Sequence, residues 1–173
     1  ATISDADMNI PLPVTADSTL VIPSSVTLDG KEYKVDHVKR GAFCGRSEIK
    51  HLIISEGIEQ LSGASFLFCE NLVSVWLPST LRFLDNPNPF SEQVFQGCTN
   101  LKQITVDERN ETYDSREGCN AIICTEKNEL VSGCLGTVIP ASVKTIGDSA
   151  FNDCLKMEHL TIPEGVSKIE VSA

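Results

Sequence analysis

The chain has little of what nucleic-acid-binding or membrane-spanning proteins need. Its 14 Lys and Arg against 24 Asp and Glu give a net charge of −10, and no window collects enough basic residues to neutralise a run of phosphates, which argues against nucleic acid as a partner. No apolar run approaches the roughly 20 residues that cross a bilayer. The N-terminal ATISDADMNI lacks the basic and apolar regions of a signal peptide. We therefore expect a mature or trimmed product without a transmembrane segment.

The sequence also lacks a catalytic or metal-binding constellation. No His stands beside a nucleophile, and there is no glycine-rich phosphate loop and no HExxH motif. No CxxC pair is present, and Cys119-x4-Cys124 has no matching His pair, which argues against zinc. We expect no enzymatic activity, no cofactor and no metal.

What the sequence does have is a repeat. The segment IPASVKTIGDSAFNDC at 139–154 starts again as IPEGVSKIEVSA at 162–173, so that Ile139 and Ile162 are 23 residues apart. Aligned copies start at six positions, which are Ile22, Ile54, Leu77, Val106, Ile139 and Ile162. A chain that repeats one short unit forms a solenoid, because a single unit cannot bury its own apolar side. We expect an N-terminal lead or cap segment at 1–18 and a solenoid of six coils at 19–173, the last of them truncated.

Apolar alternation around each start predicts a short strand, and successive strands are expected to stack in parallel. One inward column is predicted to contain Phe43, Phe66, Phe95 and Phe151, and a second Val38, Leu61, Phe90, Ile146 and Ile169. A third column, of buried and therefore unreactive thiols, is predicted to contain Cys69, Cys98 and Cys154. This phasing requires equivalent residues of successive coils to lie over one another.

Two segments are predicted to form β-hairpins that interrupt the repeat. In the first coil, Asp29-Gly30 lies between alternating residues, which is the strongest short signal for a hairpin turn. In the fourth coil, 121–124 and 130–133 can pair across the polar TEKNE turn. That pairing would bring Cys119 and Cys134 together as the one disulfide candidate, with free thiols as the alternative.

The unit L-x-I-P-x-x-V-x-x-I-x-x-x-A-F-x-x-C-x-x-L resembles the BspA-like, or Treponema-type, leucine-rich repeat, from Leu20 to the C-terminus. Residues 113–134 are similar to an interruption found in surface proteins of gut Bacteroidetes, the group of Bacteroides. The resemblance implies a right-handed leucine-rich-repeat superhelix with a parallel β-sheet on its concave face, short strands and loops on the convex side, and two β-hairpin insertions.

The same resemblance implies a function. It suggests a non-enzymatic, secreted or cell-surface module for adhesion, which binds a host or bacterial surface protein. The expected location is extracellular or on the cell surface, with the signal or lipoprotein segment absent from the sequence. The alternative is a glycan-binding accessory protein of a carbohydrate-uptake system.

The phasing also predicts which residues face outward from the sheet. Trp76 is the single Trp of the chain and is expected to point out of a middle strand, where interfaces place their hot spots. The candidate partner-binding residues on the concave face are Trp76, Ile53, His51, Ser74, Gln103, Thr105, His159 and Thr161. Alternatively, an insertion loop or the N-terminal segment MNIPLPV covers Trp76.

The last coil is expected to be open. Ala173 stands 23 residues after Ala150 and one residue before the next expected Phe. Terminal units normally carry a polar outer face, and none follows Ile169. We expect that the native protein continues, or that this end docks against a second copy.

Overall fold

The computed structural model describes residues 2–3, 13–85, 92–152 and 154–173. Within these ranges the chain forms short β-strands and a single 3₁₀ helix, Arg116–Gly118. The strands are β1 (Thr2–Ile3), β2 (Thr19–Ile22), β3 (Ser25–Leu28), β4 (Lys31–Lys34), β5 (His37–Val38), β6 (His51–Ile54), β7 (Gln60–Ser62), β8 (Ser74–Leu77), β9 (Phe83–Asp85), β10 (Gln103–Val106), β11 (Tyr113–Asp114), β12 (Ile122–Cys124), β13 (Glu129–Ser132), β14 (Thr145–Ile146) and β15 (Lys168–Ile169).

The first four repeat starts build one parallel sheet. Its spatial order is β10-β8-β6-β2, and the register pairs Leu20 with Leu52, Leu52 with Val75, and Val75 with Ile104. All four of these side chains are buried. The predicted parallel stacking of successive coils is therefore confirmed for these four strands, which we call the main sheet.

A second parallel sheet, in the order β1-β5-β7-β9, contains the column that was predicted to begin at Val38. Val38 pairs with Leu61, and Leu61 pairs with Leu84. The prediction was wrong at the third coil, because Leu84 and not Phe90 occupies the register beside Leu61. Phe90 itself lies outside the described residues. The extra residues around Pro87 and Pro89 therefore follow the column position instead of preceding it.

A third sheet has the order β11-β12-β13-β14-β15 and combines two kinds of pairing. Strands β11, β12 and β13 pair antiparallel, and Ile123 lies opposite Leu130. Strands β13, β14 and β15 pair in parallel, which aligns Leu130 with Ile146 and Ile146 with Ile169. The second half of the predicted apolar column therefore continues in this sheet, where Leu130 of the fourth coil joins it.

Strands β3 and β4 form a separate two-stranded antiparallel unit. The connecting residues Asp29 and Gly30 both have positive φ, of 50° and 74°. Two consecutive left-handed residues match the right-handed twist of the strands that they join, and the Asp-Gly pair adopts this conformation readily. Most of its side chains are exposed.

Three of the four predicted phenylalanines stack inside the coils. The ring centroids of Phe43 and Phe66 are 5.2 Å apart, and those of Phe66 and Phe95 are 5.8 Å apart. Phe151 does not continue the stack, because the backbone of the fourth coil lies between it and Phe95. The N–H of Gly133 in that coil donates to Ala150 O, and the ring of Phe151 lies against Gly133. The predicted four-ring column is therefore wrong at its last member.

The buried apolar residues form two clusters that divide at the fourth coil. The larger cluster extends from Leu20 to Cys134 and contains the three stacked rings. The smaller one is centred on Leu130 and Ile146. Neighbouring residues of β12 belong to different clusters, Ile122 to the first and Ile123 to the second, because successive side chains of a strand point to opposite faces.

Candidate functional site

The outer face of the main sheet carries the candidate site. In each of its four strands the second and fourth residues are buried in the core, and the first and third are at least partly exposed. This alternation follows from the period of two residues in a strand. The face is therefore a regular grid of eight side chains, with two from each strand.

The third residues of β2, β6 and β8 form an apolar column, which Thr105 of β10 extends. The register aligns Val21 with Ile53, Ile53 with Trp76, and Trp76 with Thr105. Val21 and Ile53 are 44% and 38% exposed, and Trp76 is half-buried outside the core cluster. Single exposed apolar side chains are common on protein surfaces, but a continuous row of them on adjacent strands is typical of a contact surface.

The first residues of the strands form a polar column beside the apolar one. The register aligns Thr19 with His51, His51 with Ser74, and Ser74 with Gln103. His51 Nδ1 and Ser74 Oγ are 2.7 Å apart and share a hydrogen bond across neighbouring coils. This bond fixes the orientation of the imidazole ring on the face.

The two columns enclose a shallow open groove of about 430 Å³. Its lining consists of Thr19, His51, Leu52, Ile53, Ser74, Val75, Trp76, Gln103 and Thr105. Six of the eight candidate residues therefore lie together. The segment MNIPLPV, considered as a cover for Trp76, lies largely outside the described residues.

The other two candidate residues are not part of this face. His159 and Thr161 lie in a segment without strand structure, and both are exposed. Val138, which directly precedes the fifth repeat start at Ile139, is also in no strand and is 72% exposed. The expectation that the sheet extends through the fifth and sixth starts was wrong.

The main sheet ends at β10, because residues 136–139 at the fifth start do not form a strand. The N–H of Leu135 donates to Leu101 O at 2.9 Å, so residues 135–136 lie beside the beginning of β10. A Cβ on Gly136 would be 2.1 Å from Lys102 O. The glycine permits this close approach of two backbone segments, which a side chain would prevent.

Charged side chains border the face where its strands end. Glu56, which follows β6, accepts hydrogen bonds from the N–H and hydroxyl of Ser79, which follows β8. Arg109 Nη2 donates to Glu56 Oε1 at 2.9 Å and also contacts Asp107, directly after β10. Hydrogen bonds from Arg109 lower the pKa of Asp107 to about 2. The carboxylate of Asp107 is therefore ionised at neutral pH, and the side chain of Glu108 is exposed on the same rim.

The cysteines of the described residues form no disulfide, and four of their thiols bond to backbone carbonyls. Cys69 Sγ donates to Phe43 O at 3.1 Å, and Cys98 Sγ donates to Phe66 O at 3.3 Å. Both are buried, as the repeat predicts, whereas Cys154 is half-buried. The disulfide candidate is not formed, since Cys119 Sγ faces Ala121 O and Cys134 Sγ faces Asn120 O.

The described part of the chain shows no group of three or more His, Cys, Asp or Glu side chains that could hold a metal ion. In the same residues, no helix has the length and apolar character that a bilayer crossing requires. Neither observation identifies a function.

The stacked coils of parallel strands with almost no helix define a leucine-rich-repeat fold. The family model of the BspA type leucine rich repeat region matches residues 24–122 and 133–173, with six copies. The chain belongs to this family, as its repeat unit indicated. Leucine-rich-repeat proteins of this kind are generally non-enzymatic modules that bind other proteins.

Several solved structures are similar to this chain. A leucine-rich repeat protein from Bacteroides ovatus is 22% identical with a TM-score of 0.48, over 87% of this chain and 29% of its own. The Treponema pallidum leucine rich repeat protein is 17% identical with a TM-score of 0.44, and the match covers 96% of this chain and 86% of that protein. A leucine rich cell surface protein from Faecalibacterium prausnitzii is 14% identical with a TM-score of 0.36, and the match covers 90% of this chain and 69% of that protein. No curated protein sequence matches the chain.

Proposed function

We propose that this chain is a non-enzymatic adhesion or interaction module of a secreted or cell-surface protein, and that it binds a protein partner through the outer face of the main sheet. The row of Val21, Ile53 and Trp76 on adjacent strands is the observation that supports this most directly. Trp is enriched among the residues that dominate binding energy. A partner that covers this row would remove apolar surface from water without any rearrangement of the sheet.

The proposal includes features that the resemblance to the family implied. The coils wind in a right-handed superhelix whose concave side is the main sheet, and the units β3–β4 and β11–β13 are insertions into it. Residues 1–18 lead into a solenoid at 19–173. The protein is displayed outside the cell, where a host or bacterial surface protein is its partner. A surface bearing a net charge of −10 also favours solubility there.

The test is a binding measurement on the purified chain and on Trp76→Ala. The chain is immobilised, and detergent-solubilised surface proteins of host cells and of neighbouring bacteria are passed over it. We expect Trp76→Ala to weaken capture of a specific protein at least ~10-fold, since truncated hot-spot residues cost about 2 kcal/mol or more. The matched control is Leu155→Ala, which truncates a side chain that is 83% exposed and lies outside the main sheet. Equal capture by both variants would contradict the proposal.

One observation favours a second candidate, a glycan-binding accessory protein of a carbohydrate-uptake system. The half-buried Trp76 stands next to the hydrogen-bonding side chains of His51, Ser74 and Gln103, a combination of an aromatic surface and polar groups that can hold a sugar ring. The face has a single Trp, however, which is a small platform. A glycan array that gives a signal with the chain and none with Trp76→Ala would place this candidate first.

Self-association through the last coil stays a prediction. Three apolar side chains are exposed there, Ile162, Ile169 and Val171. Sedimentation at increasing concentration tests it, with a monomer at all concentrations as the contrary result.

A further inference from the structure

We propose that the outer face of the main sheet binds an amphipathic α-helix whose apolar stripe is flanked on one side by Lys or Arg. This inference rests on the proposed function and names the kind of partner that the same face fits. Two observations carry it, which are the spacing of the apolar column and the placement of charge at the ends of the strands.

The spacing of the apolar column matches the pitch of a helix. Val21, Ile53 and Trp76 lie on three consecutive strands, and neighbouring strands are about 4.8 Å apart. An α-helix advances about 5.4 Å per turn and places one residue of an i, i+3, i+7 stripe on each turn. A helix lying across the strands therefore puts one apolar side chain over each strand. In an extended segment, side chains on one face recur every ~6.6 Å and lose this register within two strands.

The width of the face also suits one helix. Each strand of the main sheet has four residues, which span about 13 Å. A helix with its side chains is about 10 Å across. The polar column of Thr19, His51, Ser74 and Gln103 then lies beside the helix, where its hydroxyl, imidazole and amide groups meet polar side chains of the partner.

Charge distinguishes the two sides of such a helix. The apolar column consists of the third residues of the strands and is thus nearer to their C-terminal ends, where Glu56, Asp107 and Glu108 outnumber Arg109. The opposite ends are different, because exposed lysines, Lys50 and Lys102, directly precede β6 and β10. The basic flank of the partner therefore faces the carboxylates, and its other flank is neutral or acidic.

Synthetic helical peptides test this inference with the intact chain. The first probe is a peptide of about 20 residues with a Leu stripe at helical spacing, Lys on one flank and Gln on the other. The second has Glu in place of each Lys, and the third is a scrambled form of the first without a stripe. None contains Trp, so that the fluorescence of Trp76, the single Trp of the chain, reports contact with the face directly.

We expect the Lys-flanked peptide to shift the Trp76 emission to shorter wavelength in a saturable titration. Its affinity should exceed that of the Glu-flanked peptide about tenfold at low salt, and added salt should reduce the difference, because exposed charges are screened. The scrambled peptide should give no saturable change. Equal binding of all three peptides, or tighter binding of the Glu-flanked one, would overturn the inference.

Two charge reversals locate the contact. Glu108→Lys places a cation on the rim and should weaken binding of the Lys-flanked peptide about fivefold at low salt. The control Glu126→Lys makes the same change at an exposed residue of the β12–β13 turn and should leave the affinity unaltered. Equal effects of the two would show a response to net charge alone and would contradict docking on this face.

Failure of this inference is distinguishable from failure of the proposed function. If no peptide binds, but capture of a surface protein is lost in Trp76→Ala, the face binds a protein partner that is not an amphipathic helix. If no peptide binds and Trp76→Ala has no effect on capture, both the inference and the proposed function are wrong.

Discussion

The ring of Phe151 occupies the space that a side chain on Gly133 would need. A Cβ built on this glycine would stand 2.2 Å from Phe151 Cε1, which is far inside any van der Waals contact. At this position the fourth coil therefore has a glycine without a side chain, whereas the first three coils have the rings of Phe43, Phe66 and Phe95. A cavity of about 20 Å³, with room for about one water molecule, lies at this junction and is lined by both Phe95 and Gly133.

Gly133→Ala should therefore destabilise the chain. Gly133 does not have a left-handed backbone conformation, so the cost arises from the clash with Phe151 and not from φ. We expect a loss of about 1–3 kcal/mol in the free energy of unfolding, the usual cost of overpacking. Urea unfolding measures it. In a Phe151→Ala background the same substitution should cost less than half as much, and equal costs in both backgrounds would contradict this explanation.

Truncation of the stacked rings should show where the interior column is continuous. Phe66 is buried between two other rings, so that Phe66→Ala should cost about 3–5 kcal/mol through the cavity that it leaves. Phe151 is half-buried and packs on Gly133, so that Phe151→Ala should cost clearly less. Urea unfolding of both variants gives the comparison. Equal losses would show that Phe151 is part of the same column after all.

The sequence predicted those parts of the fold that depend on one repeated apolar pattern. The strands at the first four starts, the stacking of Phe43 on Phe66 and the outward position of Trp76 all follow from residues at equal repeat positions, since each coil is stacked on an equivalent one. Six of the eight candidate residues are consequently in one groove.

The rest depends on tertiary contacts that leave no periodic signal. Leu84 replaces Phe90 because the pairing of β9 with β7 decides which apolar residue enters the column, and both residues suit it by composition. His159 and Thr161 match the repeat pattern, but the main sheet ends at β10, where Gly136 lets the backbone approach Lys102. The carboxylate rim was missed because Glu56 and Arg109 are 53 residues apart and meet only through the stacking of coils.

Asn110 should be among the most sensitive polar residues of the chain. Its Nδ2 donates to Pro78 O and Leu81 O, and its Oδ1 accepts from the N–H groups of Thr112 and Tyr113. The side chain is buried and satisfies all four of these backbone groups. Asn110→Ala should cost about 2–4 kcal/mol because these groups lose their partners.

The variant Asn110→Asp tests which of these hydrogen bonds the side chain donates and which it accepts. The carboxylate keeps both acceptor bonds but presents oxygen to the carbonyls of Pro78 and Leu81, which can only accept. The aspartate variant should therefore become more stable relative to wild type as the pH falls and the carboxyl gains a proton to donate. A urea titration at several pH values checks this. A difference from wild type that does not change with pH would contradict the assigned hydrogen bonds.

Alkaline pH should destabilise the chain through its buried thiols. Burial raises the pKa of Cys119 and Cys134 above the ordinary value of 9.0. In the unfolded chain these thiols ionise near their ordinary pKa, while the folded chain still holds their protons. The folded state therefore binds more protons in this window, and the free energy of unfolding falls as the pH rises. The stabilising contribution is complete below the unfolded pKa and is lost as the pH rises through the folded pKa.

Urea unfolding in the presence of a thiol reductant, from neutral pH to about pH 10, measures this slope. The comparison is with the double variant Cys119→Ala/Cys134→Ala, which should lose less stability over the same range. Cys69 acts in the opposite direction, because a hydrogen bond with Cys98 lowers its pKa, but it is present in both proteins and does not affect the difference. Burial also raises the pKa of Tyr113 above 10.0, and this residue likewise contributes equally to both. Identical slopes for the two proteins would therefore show that the thiols of Cys119 and Cys134 ionise alike in the folded and unfolded chains.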